Sequence, residues 1–160
     1  MYSYLTFQIQ GILNNQFTEI TKLAYYIPIP PDNDEKQDPD ALEFLFSAGK
    51  DPFVWKWDDT KGVNVDSLNL HQSEIVHLEI INDFMITVGT DNKMVKFDLI
   101  KNEKVATYKA KFLISSIKIL IPSENEPDAF ELPNWTNKEA EVKIIVASVN
   151  GYVEILDIDL

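Results

Sequence analysis

One pattern occurs three times in this chain and limits the folds open to it. Phe44-Leu-Phe-Ser-Ala-Gly-Lys-Asp-Pro-Phe-Val-Trp-Lys-Trp-Asp58, Phe84-Met-Ile-Thr-Val-Gly-Thr-Asp-Asn-Lys-Met-Val-Lys-Phe-Asp98 and Lys143-Ile-Ile-Val-Ala-Ser-Val-Asn-Gly-Tyr-Val-Glu-Ile-Leu-Asp157 align without a gap. Asp51, Asp91 and Asn150 fall at one position; six residues later stand Trp57, Phe97 and Leu156, each followed by an aspartate. Upstream, Glu19-Ile-Thr-Lys-Leu23, Glu74-Ile-Val-His-Leu78 and Ser116-Ile-Lys-Ile-Leu120 superimpose as a preceding strand. A β-rich run, a turn at Asp or Asn, and a second run ending in a large apolar residue describe an antiparallel hairpin buried on both faces.

Repeated at intervals of about 40 residues, such a hairpin is the unit of a four-stranded propeller blade. No long window carries a helical period with caps, so the chain reads as all-β. With the strands of a blade labelled a to d, residues 1–11 read as the last strand of one blade. Residues 17–70 and 74–111 read as two full blades, and 112–160 as the first three strands of another, interrupted by an acidic insertion over 122–141. That is about three blades' worth, whereas propellers close with about four to eight. Three wedges would demand more twist per blade than sheets supply, and an open arc leaves raw edges that invite pairing. The chain is therefore expected to be part of a larger propeller, or to complete one with another chain or copy. Two copies would make a six-bladed ring; the plainest reading is a partial chain.

Ser47-Ala-Gly-Lys-Asp51 through Trp57-Asp58 resembles the WD-repeat family, with Phe97-Asp98 and Leu156-Asp157 as weaker counterparts. The resemblance implies a hydrogen-bonded group joining a His before the first strand, a Ser or Thr in the second, an Asp in the turn and the Trp. The middle repeat offers His71, Thr87 and Asp91 but has Phe97 for Trp; the first has Ser47, Asp51 and Trp57 but Gln16 or Phe17 where the His belongs. No repeat is complete, so stability is expected to rest more on packing.

The resemblance also implies that the d–a and b–c loops share one face, the usual partner-binding rim. Phe17, Lys50, Phe53, His71, Asn92, Lys93 and Phe112 fall on these loops, and exposed aromatics there would serve as anchors. The alternative is that Phe17, Phe53 and Phe112 plug the blade ends. The two long a–b loops, 28–40 and 122–141, emerge on the opposite face; both are acidic and carry prolines. They read as an electrostatic landing site for a basic partner or as solvated padding. Within the second, Phe130 and Trp135 bracket an apolar segment that reads as a docking motif or a cap on its own blade.

The formal charge of −12 repels phosphate and anionic lipid, so the expected partners are other protein chains with basic surfaces, without direct nucleic acid or membrane binding. There are no cysteines, which removes disulfides, thiolate zinc sites and cysteine nucleophiles. The N-terminus has neither a basic start nor an apolar block, so an intracellular setting, cytoplasm or nucleus, is expected. With two histidines and five glycines, no phosphate loop, zinc pair or nucleophile elbow is present, and no cofactor or metal is expected. His71 and His77 do not converge. The reading is a non-catalytic scaffold, a subunit or fragment of a multi-protein complex. The alternative is part of a propeller hydrolase using channel carboxylates, for which Asp51 and Asp91 are the candidates, although a turn role accounts for both.

Overall fold

The computed structural model describes residues 16–28, 43–120 and 142–158. The expected strand within 1–11, and most of both acidic insertions including Phe130 and Trp135, lie outside the described residues.

The described residues form three antiparallel meanders. β1 (Ile20–Tyr26), β2 (Phe44–Gly49), β3 (Phe53–Asp58) and β4 (Val63–Asn69) make the first, in chain order. β5 (Ile75–Ile81), β6 (Phe84–Gly89), β7 (Lys93–Asp98) and β8 (Glu103–Lys109) make the second. β9 (Ile114–Leu120), β10 (Val142–Ser148) and β11 (Val153–Ile158) make a three-stranded third.

The aligned hairpins adopt one geometry. Phe44 pairs with Asp58 as Phe84 pairs with Asp98, and Lys143 with Asp157. The ladders of the first two sheets shift register at the same places, Ile20/Lys22 matching Ile75/His77 and Lys56/Trp57 matching Lys96/Phe97. A repeated bulge bends each sheet in the same way. The turns after Asp58 and Asp98 reach the left-handed region at equivalent residues, Gly62 and Asn102, two types that tolerate it.

The sheets stack face to face as wedges, with a separate core in each joint. Between the first and second lie Tyr26, Phe46, Ala48, Val54, Leu78, Met85, Val95 and Phe97. Between the second and third lie Ile86, Val88, Met94, Ile117, Ile119, Ile144 and Val146. Both faces of the middle sheet are thus covered, which is why β6 is buried along almost its whole length while β8 at the rim of the blade is exposed. Polar ties cross the joints: Tyr26 to Asp83, Lys50 to Glu74 at 3.2 Å, and Tyr108 to Glu154.

The third sheet departs from the sequence alignment. Ile117, and not Leu120, stands opposite Val146, as Leu23 stands opposite Ser47 and Leu78 opposite Thr87. The shift is three residues. Sliding a strand by an odd number exchanges its faces, and this register puts Ile117 and Ile119 in the joint and leaves Leu120 outside.

Candidate functional site

The b–c turns of the three sheets, with the segments that lead into β1, β5 and β9, form the rim on which sequence places most candidate residues. In the second sheet His71 is buried between Asp91 and Thr87: Nδ1 lies 3.0 Å from the Asp91 carboxylate and Nε2 lies 2.8 Å from the Thr87 hydroxyl. A carboxylate only accepts, so Nδ1 carries the proton and Nε2 accepts from Thr87. Burial pushes the His71 pKa down, against the pull of Asp91, which keeps the ring neutral in this arrangement. Burial also raises the Asp91 carboxyl, but the bonds from His71 and from the Gln72 and Lys93 amides outweigh it and hold its pKa below the usual value. Gly89 makes room for the ring. A Cβ there would come within 2.5 Å of His71 Nδ1 and 2.6 Å of Asp91 Oδ1.

In the first sheet Gln16 takes the place of the histidine. Ser47 Oγ donates to Gln16 Oε1 at 2.7 Å and accepts the Trp57 indole N–H at 2.8 Å. Gln16 Nε2 reaches Asp51 at 3.4 Å, and Asp51 also accepts from the Phe53 amide and the Trp55 indole, each at 3.2 Å. A carboxamide offers both a donor and an acceptor, so it bridges hydroxyl and carboxylate as neutral imidazole does. The polar group expected to be incomplete is therefore closed here. In the second sheet Phe97 fills the Trp57 position with no donor, and Thr87 instead donates to His71.

The third sheet has no such group. Val146 occupies the Ser47 and Thr87 position and is buried among apolar neighbours. The turn through Asn150 closes on Ser148, whose Oγ accepts the Tyr152 amide at 3.1 Å, with Gly151 in the left-handed region. The Phe112 and Tyr152 rings stack there, 4.8 Å apart and nearly parallel.

At the other end of the hairpins the aspartates after Trp57 and Phe97 hold the next turn. Asp58 accepts the Lys61 amide, and Asp98 accepts those of Ile100 and Lys101. These backbone bonds are the main reason both carboxyls sit below their ordinary pKa. Asp157 instead pairs with Lys143 at 2.7 Å across the strands, and Leu156 packs beside the second joint.

The remaining candidates divide by exposure. Phe17 is 98% exposed. Phe53 is half-buried beside Trp55, and Phe112 is covered by Tyr152. Lys50 is engaged with Glu74 and Lys93 with Asp91. Asn92 adopts φ 61° and buries its Oδ1 without a hydrogen-bond partner. His77 lies away from the rim group, against Glu79. Tyr152 is a rim residue that the sequence reading passed over, although it aligns with Phe53 one turn position after Gly151. Among the described residues no three His, Asp or Glu side chains come together as a metal site.

The sequence matches no protein-family model, and no curated protein is similar enough to count as a relative. Solved structures decide the architecture. The chain is similar to BBS1N in its complex with ARL6DN (TM-score 0.58, 13% identity, covering 87% of this chain and 37% of that one). It is similar to Saccharomyces cerevisiae Sqt1 (0.59, 13%, 73% and 29%) and to the Cps50 (Swd1) β-propeller domain of Myceliophteria thermophila (0.55, 16%, 73% and 32%). The fold is a β-propeller segment. The chain spans about a third of the length of the structures it matches.

Proposed function

We propose that this chain is a non-catalytic, intracellular protein-interaction scaffold of the WD-repeat kind, one part of a multi-protein assembly. The observation that carries the reading is how the rim's chemistry is spent. His71, Asp91 and Asp51 are each engaged with turn amides or with one another, which supports a structural role for them, while the aromatic surface of Phe17 and of the Phe112–Tyr152 stack stays open to a partner. Exposed aromatic rings supply large contact area, and the Phe112–Tyr152 rings are already held against each other by stacking. The first of the similar structures was solved bound to another protein, ARL6DN, which supports the same use of this fold. The Gln16–Ser47–Trp57 group and its His71–Thr87–Asp91 counterpart support the WD-repeat assignment.

The test is affinity capture with the wild-type chain and with a Phe17→Ala/Tyr152→Ala variant of equal thermal stability. Specific partners held by the first and lost by the second are the expected result. Equal capture by both, or ester or glycoside turnover abolished by Asp51→Asn in a folded protein, would sink the proposal in favour of another surface or a hydrolase.

A further inference from the structure

Positive charge in this acidic chain is concentrated along one strand edge. Residues 93–111 hold Lys93, Lys96, Lys101, Lys104, Lys109 and Lys111, six of the 14 lysines, with only Asp98 and Glu103 against them. That is a net +4, while the other residues of the chain carry eight lysines and 24 acids, a net −16. The repeat does not ask for these lysines. Lys104 and Lys109 of β8 stand opposite Phe97 and Lys93, as Asn64 and Asn69 of β4 stand opposite Trp57 and Phe53, and β4 has no lysine at all. Lysines on an edge strand commonly keep other chains off it. That need does not explain Lys93, which lies on the inner strand β7 directly across from Lys109, where like charges weaken the ladder.

β8 is the outer strand of the second sheet and pairs only with β7 among the described strands. It runs for seven residues without proline and is exposed at every one except Tyr108. Its two faces differ. Lys104, Thr107 and Lys109 share a face with Phe97, Val95 and Lys93, and Lys104 reaches the Leu70 carbonyl at 3.5 Å. On the other face Ala106 and Tyr108 border an apolar cavity of about 180 Å³ beside Met94 and Leu156. We infer that β8 accepts an extended acidic segment of a partner protein as a fifth strand. Main-chain hydrogen bonds supply the pairing, and alternate side chains supply the choice. Acidic residues of the added strand lie along Lys104 and Lys109, and the apolar residues between them lie along Ala106 and Tyr108.

The test titrates the 160-residue chain with the peptide Thr-Glu-Val-Glu-Val-Glu-Thr and with its counterpart carrying lysine for glutamate, while amide exchange is followed strand by strand. The acidic peptide binds, weakens with added salt, and slows exchange in β8 but not in β4; the lysine peptide does not bind. Lys104→Gln/Lys109→Gln, both at exposed positions, lowers the affinity roughly two- to thirtyfold, as loss of two exposed ion pairs does, with circular dichroism unchanged. Phe17→Ala/Tyr152→Ala binds the peptide as the wild type does, which separates this edge from the rim. No binding, equal binding of the two peptides, equal protection of β4, or an affinity unmoved by the lysine substitutions overturns the inference.

Discussion

The hydroxyl of Tyr26 donates to Asp83 Oδ1 at 2.7 Å, tying the end of β1 in one blade to the β5–β6 turn of the next. Burial, and then this bond, hold the Tyr26 phenol pKa well above its ordinary value. Its ring is part of the first joint. Tyr26→Phe keeps the ring and removes only the bond, so the cost is that of one hydrogen bond to a charged group, about 1.5–3 kcal/mol. A lower urea midpoint with an unchanged slope is the expected result; an unchanged midpoint means that water replaces the bond at no cost.

The hairpins were legible because turn geometry restricts residue type: Asp51 and Asp91 accept amides that would otherwise go unpaired, so the sequence marks them. The role of Gln16 was not, since many polar residues are tolerated before a strand and only the position of the Ser47 hydroxyl shows that a carboxamide can replace imidazole. The register of β9 was misread for a related reason. Ser116-Ile-Lys-Ile-Leu120 looks like Glu74-Ile-Val-His-Leu78, but Ile114, Ile117 and Ile119 offer an apolar face at another offset, and packing against β6 and β10 chose it. Tyr152 was lost because an aromatic after Asn150-Gly151 reads as ordinary strand.

His71 gives the second blade a dependence on acid that Gln16 does not give the first. The folded-state pKa of His71 lies below its unfolded value near 6.5, so the unfolded chain takes up the proton first. Stability is therefore fully present above that pH and falls as pH drops below it toward the folded pKa. Asp91, Asp58 and Asp98, whose pKa values are lowered, add a second loss in the range below about 4. His71→Gln retains a donor and an acceptor and removes the first step only. Thermal midpoints measured between pH 7 and pH 5 decline for the wild type and decline less for the variant; parallel curves would show that His71 does not titrate between the two states.

Two glycines at the ends of matched strands tolerate no side chain, for different reasons. At Gly89 a Cβ meets the His71 ring, which can shift only by giving up Asp91 or Thr87, so Gly89→Ala costs roughly 1–3 kcal/mol. At Gly49 the obstacle is backbone, with the Glu19 carbonyl oxygen 1.9 Å from a Cβ, and the first ladder has to open at Ile20. Gly49→Ala is expected to be the more destabilising of the two. The third blade carries Ser148 at this position and uses its hydroxyl in the turn, so Ser148→Gly weakens that turn instead of relieving it. Equilibrium unfolding of the three variants ranks them; a harmless Gly49→Ala would show that the approach of Glu19 is not maintained in solution.

Thr87 and Val146 occupy the same position in neighbouring blades, and both are buried. The near-isosteric exchange should therefore harm the protein in either direction. Thr87→Val leaves the His71 Nε2 without its donor inside the joint, an unpaired buried acceptor that costs about 1–3 kcal/mol. Val146→Thr places a hydroxyl among Ile117, Ile119 and Ile144, and burying it without a partner costs about 1–3 kcal/mol by the measure of protein mutants. The double variant distinguishes local from shared causes. If each blade satisfies its own polar group, the two losses add, as they do for sites without common partners, to within about 0.5 kcal/mol. A double variant more stable than that sum would mean that the two centres communicate through the second joint, across Val88 and Ile144.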